Sequence, residues 1–320
     1  MDIRQRQSLE FRSLPNAYYH LCTDGWHGGK LFYTREQYAS GMTSVALLCL
    51  KYCVRIYAFE LMPNHLHIVI SGTGAQCLDC FYFMRKRINK ELRKAGNPVL
   101  PADYWMKIVP VPDRDSMRRV LAYLARNRYE TGQCTPCGHI WGTGYLLYNQ
   151  TADYIVGIPV KNMKVRALER LAGTRMTLPS YWEIHPDLGV LPRSFVQIGK
   201  NQELFPSVKD YMTALVKDYE SYVRIADSLG ETITWSESEA EEIVGRICQR
   251  MFPQREYYQL SADEKCLLLV QADSQYHLQV PLLSKILRLP EHLIRQVLYS
   301  KDYGQRRRRD AGMSPEPELR

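Results

Sequence analysis

Apolar positions along the chain change period several times, and the changes divide it into elements. Residues 16–23 (NAYYHLCT) mix aromatic and small residues and run into a turn-rich stretch at 24–30, which predicts a strand and a loop. Residues 34–52 predict a helix: Thr34 can cap it, Glu36 lies in its first turn, and Met42, Val45, Ala46 and Cys49 recur near one face. Residues 53–61 and 65–70 are β-rich runs separated by Met62-Pro63-Asn64, the pattern of a hairpin. A second helix is expected over 76–95, ended by Gly96-Asn97-Pro98, and a further strand over 104–111. Asp113 or Asp115 can cap a helix over 116–129 that stops near Gly132. The order strand, helix, strand, strand, helix, strand, helix predicts an α+β fold, with helices covering an antiparallel sheet.

The pattern changes near residue 150, so residues 1–150 read as one domain. Residues 151–206 read as a connecting segment, with the Pro- and Gly-rich EIHPDLGVLPRSFVQIGKN at 183–201 as a linker or extended arm. Residues 207–300 read as a helical domain, with helices over 207–229 and 237–251 and three shorter ones between 261 and 300. Within it, residues 281–298 have the period and turn of a helix-turn-helix. Leu283, Ile286 and Leu287 pack one helix, Leu289-Pro290 makes the turn, and Leu293, Ile294 and Val297 pack the next. Glu291, His292, Arg295 and Gln296 would then face outward, Arg295 and Gln296 as DNA-reading candidates; a plain helical bundle accounts for the same pattern. Residues 301–320, with Arg306–Arg309, read as a basic disordered tail.

Charge sharpens this division. The 320 residues carry 42 Lys+Arg and 34 Asp+Glu, a net +8. Residues 1–150 hold 19 basic and 11 acidic side chains, and 151–320 hold 23 of each, so the surplus lies in the first part. That points to a polyanionic partner for the N-terminal domain. No apolar run approaches the roughly 20 residues of a membrane helix, so no membrane partner is expected. Nine scattered cysteines, an odd number, read as reduced thiols of a cytoplasmic protein. Cys77-x-x-Cys80 and Cys134-x-x-Cys137 have zinc-ribbon spacing within each pair, but the pairs lie far apart, which favours partly buried thiols over a zinc site. On the helix at 83–94 (FMRKRINKELRK), Lys86, Lys90, Arg93 and Lys94 cluster at helical spacing, as a phosphate-binding or simply a solvated face.

The candidate chemistry lies in AFELMPNHLHIVI at 58–70. His65 and His67 are two apart on an expected strand, so both leave one face while Leu66 and Ile68 enter the other. Two imidazoles so placed can bind one divalent metal, or can be two surface histidines. In SMRRVLAYLARNRYETG at 116–132, Tyr123 and Asn127 are four apart and share a helical face; Asn127 can add an oxygen ligand and Tyr123 a phenol beside it. Arg119 and Arg126 lie on neighbouring faces and could hold phosphates, whereas Tyr123 alone also fits a half-buried core position. Two histidines and an amide leave positions open for phosphate oxygens, which suits Mg²⁺ or Mn²⁺ better than a closed zinc site.

The strings AFELMPNHLHIVI, YYHLCTDGWHGGKLFYTREQY and YLARNRYETG together resemble the REP-associated tyrosine transposases, which are single-tyrosine HUH transposases, over about residues 14–150. The resemblance implies a ferredoxin-like fold that cleaves single-stranded or hairpin DNA, leaving a 5′-phosphotyrosine link and a free 3′-hydroxyl. It also implies His65 and His67 as metal ligands, Tyr123 as nucleophile, Asn127 as third ligand, and His20 near the DNA. Two segments depart from the family pattern. The turn after the first strand is Asp24-Gly25-Trp26-His27-Gly28-Gly29, and the aromatic basic segment before the tyrosine helix is reduced to Tyr104-Trp105-Met106-Lys107. A domesticated, non-cutting DNA-binding regulator of the same fold is the alternative reading. Whether Tyr123 serves its own histidines or those of a second subunit in a homodimer is open.

Overall fold

The computed structural model describes residues 3–23, 29–127, 139–147 and 155–299. Two compact units divide it, Met1–Asp218 and Tyr219–Arg320.

Unit 1 is α+β. A helix, α1 (Ile3–Ser13), which the hydropathy pattern does not announce, precedes β1 (Ala17–Thr23). Then follow α2 (Arg35–Tyr52), β2 (Arg55–Leu61), β3 (Leu66–Gly72), α3 (Gly74–Lys94), β4 (Met106–Pro110) and α4 (Arg114–Asn127). Local chemistry sets these bounds. Thr34 accepts from Gln37 N at the start of α2, and Thr73 and Gln76 form a reciprocal capping box on α3. Asp113 Oδ1 accepts the Ser116 amide at the start of α4. The hairpin closes through Met62 N to His65 O at 3.0 Å.

The four strands form an antiparallel sheet in the order β2-β3-β1-β4. One face carries Tyr19, Leu21, Phe59, Leu66, Ile68 and Ile70, all buried, and packs against α2 and α3. Cys77 and Cys80 lie in that apolar layer, where burial pushes the Cys77 thiol up to about 12 and raises Cys80 as well. Both are therefore protonated core thiols, which is poor preparation for zinc; Cys134 and Cys137 lie outside the described residues.

Residues 155–206 correct the expectation of a linker. They form β5 (Ile158–Pro159), α5 (Val165–Ala172), β6 (Glu183–His185), β7 (Gly189–Val190) and α6 (Ile198–Gln202), with β5, β6 and β7 as a second antiparallel sheet. Trp182, Ile184, Val190, Leu191 and Phe195 join the core cluster of unit 1. Gly189, one of the residues that suggested a linker, serves close packing. Gly189 has φ +75°, and a Cβ there would lie 2.4 Å from Ala39 O and Thr43 Oγ1 of α2. Val190 N donates to that same Thr43 hydroxyl. The outer edge of β2 is covered as well, by Leu61 N to Trp141 O, Thr143 N to Phe59 O and Gln197 N to Ile56 O.

The single helix expected over 207–229 is two helices, α7 (Val208–Lys217) and α8 (Tyr219–Leu229), and the boundary between the units falls between them. The positive balance accordingly extends: residues 1–218 hold 28 Lys+Arg against 18 Asp+Glu, and 219–320 hold 14 against 16. The described part of unit 2 is helical: α8, α9 (Glu237–Met251), α10 (Ala262–Tyr276), α11 (Val280–Leu287) and α12 (Glu291–Leu298). Serine capping boxes start α9 and α10. Trp235 anchors the core, with its indole N–H donating to Tyr276 O and its ring edge-on to Tyr219 and Tyr222.

An ion pair in this unit gives a pH dependence. Arg255 meets Glu264 through both terminal guanidinium nitrogens, and this pair, with the hydrogen bonds from Ser261, lowers the carboxyl to about 2. A folded-state value below the unfolded one means stability that is present above about pH 4.5 and lost as pH falls towards 2. Glu264→Gln should therefore lower the unfolding midpoint at pH 6, and its difference from the parent chain should disappear near pH 2. A difference that is constant over that range would refute the pair's contribution.

No helix of the described residues is long and apolar enough to cross a membrane.

Candidate active site

Strand alternation puts the histidines where the sequence pattern requires. Leu66, Ile68 and Ile70 enter the core, so His65, His67 and Val69 leave the opposite face of β3. On the neighbouring β1, Cys22 stands opposite His67 and His20 opposite Val69, which brings His20 onto the same face. His20 Nε2 is 3.1 Å from His67 Nδ1. His65, at the mouth of the hairpin, is half-buried; its Nδ1 is 2.9 Å from Asn64 Oδ1, and its ring stands 4.8 Å from that of His67.

Helix α4 lies over this face. The Tyr123 ring is 5.8 Å from that of His67 and 6.2 Å from that of His20, edge-on to both. One turn later, Asn127 Nδ2 approaches His67 Nε2 to 2.8 Å. His20 of β1 and Tyr123 and Asn127 of α4, all distant in sequence, thus converge on the His67 imidazole of β3. His67 is 0% exposed, Tyr123 2% and Asn127 9%.

Burial, and then the neighbouring His65, holds the His67 pKa well below its usual value, so its ring is neutral with one nitrogen lone pair. With Asn127 donating to Nε2, His67 carries its proton on Nδ1 and donates to His20 Nε2. His20, expected near DNA, is instead buried behind His67 and fixes its tautomer and orientation. Turning the Asn127 amide by 180° exchanges Nδ2 for Oδ1 at the same place. An oxygen there, 2.8 Å from His67 Nε2, would offer a hard donor beside the ring nitrogen, the type that Mg²⁺ takes. His67 and Asn127 are thus spaced so that one divalent cation could take both, and His65, with its ring 4.8 Å from that of His67, is the neighbouring imidazole.

No family model matches this chain, and neither does any curated protein or solved structure. The chemistry of the site rests on its geometry alone.

Residues well beyond 150 hold α4 in place. Arg118 meets Asp210 of α7 with two 2.7 Å hydrogen bonds and also donates to Leu204 O. Arg126, expected to hold phosphate, is buried and donates to Leu215 O, so it clamps α4 to α7. Arg119 stays partly exposed, with a bond to Ser116 Oγ. Lys86, Lys90, Arg93 and Lys94 are exposed on α3, on the other side of the sheet from the histidines. Arg295 and Gln296 are exposed on α12, where Arg295 also meets Glu291.

Glu60 is a feature that the sequence reading passes over. It lies opposite His67 in the β2–β3 register, is 2% exposed, and meets His139 Nε2 at 3.3 Å. The signal was present: a lone glutamate in the apolar run AFELM has to pair with something if the strand is buried.

Proposed function

We propose that unit 1 is a metal-assisted DNA-nicking and strand-transfer enzyme of the single-tyrosine HUH transposase type, acting on single-stranded or hairpin DNA. The observation that carries this reading is the convergence of His65, His67, Tyr123 and Asn127 in one cluster. The strand order β2-β3-β1-β4, with two crossover helices on the face away from the histidines, supports the ferredoxin-like form of that fold.

In this reading His65, His67 and Asn127 would hold Mg²⁺ or Mn²⁺, which when bound withdraws charge from the scissile phosphate and from the leaving oxygen. The Tyr123 phenol would give its proton to water as its oxygen attacks the phosphorus, and water would return one proton to the departing 3′-oxygen. The bond from phosphorus to the 3′-oxygen breaks, so the 5′ end stays on Tyr123 and the other fragment leaves with a 3′-hydroxyl. His20 holds the His67 ring, and the α7 clamps hold Tyr123 over it.

In unit 2, α11 and α12 are joined across Arg288, which adopts a left-handed conformation, and Glu291, His292, Arg295 and Gln296 are exposed while Ile294 and Leu298 are buried. This supports α12 as a duplex-reading helix.

The burial of Tyr123 favours a second reading, a DNA-binding regulator of the same fold that does not cut. Labelled hairpin-ended single-stranded DNA, incubated with the full chain and Mn²⁺ or Mg²⁺, separates the two. Nicking predicts a covalent adduct that survives denaturation. Tight binding without an adduct under either metal assigns the chain to the regulator.

A further inference from the structure

The basic helix face and the reassigned segment 155–206 meet in a place that the proposed chemistry does not use. On the side of the sheet away from the histidines, α5 packs beside β7, and its C-terminal end is tied to α3. Arg87 of α3 makes the joint: its Nε donates to Ser44 Oγ of α2 at 2.7 Å, and its terminal nitrogens donate to Ala172 O and Gly173 O at the end of α5. Gly173 ends α5 at φ +57°, in the left-handed region that glycine tolerates. Between the helices run two adjoining hollows of about 730 and 530 Å³ that share Lys90, Arg170 and Gly173.

Lys90 and Lys94 of α3 face Arg166, Arg170 and Arg175 across these hollows. The lining holds seven basic side chains against four acidic ones, and among the described residues none of those five cations has an ion-pair partner. A cluster of like charges favours an anionic ligand, and Lys86 and Arg93 extend the positive face along α3. Among the described residues the lining contains no aromatic side chain. Proteins that hold single strands stack bases on aromatic rings, whereas backbone-only contact suits a duplex, whose bases are already stacked.

We propose that this groove binds the phosphate backbone of a DNA duplex stem, on the opposite side of the sheet from the strand presented to Tyr123. The choice of DNA as the polyanion rests on the function proposed above; the groove and its charge do not.

The test uses the full chain and fluorescence anisotropy with a 20-base-pair DNA duplex at about 50–200 mM salt, for the parent and for Arg166→Ala/Arg170→Ala/Arg175→Ala. Duplex affinity should fall at least ~10-fold, and the slope of log affinity against log salt should drop by about 2–3, near 0.9 for each lost phosphate contact. Affinity for a stemless single strand should change less than ~3-fold, and the corresponding triple lysine variant should regain most duplex binding, which controls for misfolding. Unchanged duplex affinity and slope in the alanine variant overturns the proposal. So does equal loss for duplex and single strand, or an effect confined to an RNA duplex. An adduct at Tyr123 with no groove effect removes this inference alone; a groove effect without any adduct removes only the nicking reading.

Discussion

Tyr123→Phe is expected to abolish covalent capture of DNA while leaving the fold and DNA affinity nearly intact. Phenylalanine keeps the ring that packs edge-on to His20 and His67 but lacks the oxygen that forms the bond to phosphorus. Removing a nucleophile typically costs at least ~10⁴-fold in rate, whereas losing one hydroxyl interaction costs about 1 kcal/mol of stability. Denaturing electrophoresis of labelled DNA reads the first quantity and thermal unfolding the second. Adduct formation by the phenylalanine variant at the parent rate would falsify Tyr123 as the nucleophile. Adduct loss together with a collapsed unfolding midpoint would instead mark the residue as core.

Substitution of the histidine pair should separate chemistry from packing, because the two rings differ in burial. His67→Ala removes a fully buried side chain and leaves His20 and Asn127 facing a cavity, so it should stop cleavage and destabilise unit 1 by about 2–4 kcal/mol. His65→Ala, at the half-buried mouth of the hairpin, should stop cleavage at a stability cost of about 1 kcal/mol or less. Both should bind hairpin DNA within a few-fold of the parent chain. His20→Ala acts through His67 and should raise the Mn²⁺ concentration needed for half-maximal cleavage by about 10–100-fold. The assignment of the metal ligands fails if His65→Ala cleaves as the parent does at every Mn²⁺ concentration.

Much of unit 1 was readable because its signals are local. The Thr34 cap, the Met62-Pro63-Asn64 hairpin and the alternation through His65 and Ile70 each lie within a short stretch, and each element formed where its signals stood. The i,i+4 spacing of Tyr123 and Asn127 likewise put both on one helical face without reference to any other part of the chain. Segment 183–201 misled for a physical reason. Its glycine and prolines are common both in linkers and in strands pressed against a neighbouring helix, and only the Thr43 hydroxyl and the Ala39 carbonyl beyond Gly189 distinguish the two. Arg126 misled similarly: a basic residue on a helix is normally solvated, and the Leu215 carbonyl that holds it lies 89 residues away.

The sequence by itself determined the elements from β1 to α4, the face on which His65 and His67 lie, and the residue types that meet there. Tertiary structure decided that β1 lies beside β3, so that His20 stands behind His67, and that α4 crosses the histidine face, so that Asn127 reaches within 2.8 Å of the ring. It also decided that residues 155–217 complete unit 1, clamp α4 through Asp210 and line the basic groove with α5. Caps, turns and side-chain periodicity are settled over a few residues by backbone sterics and hydrogen bonding. Strand order and helix docking depend on which distant apolar faces and buried polar groups satisfy one another, and no short window of the chain contains that sum.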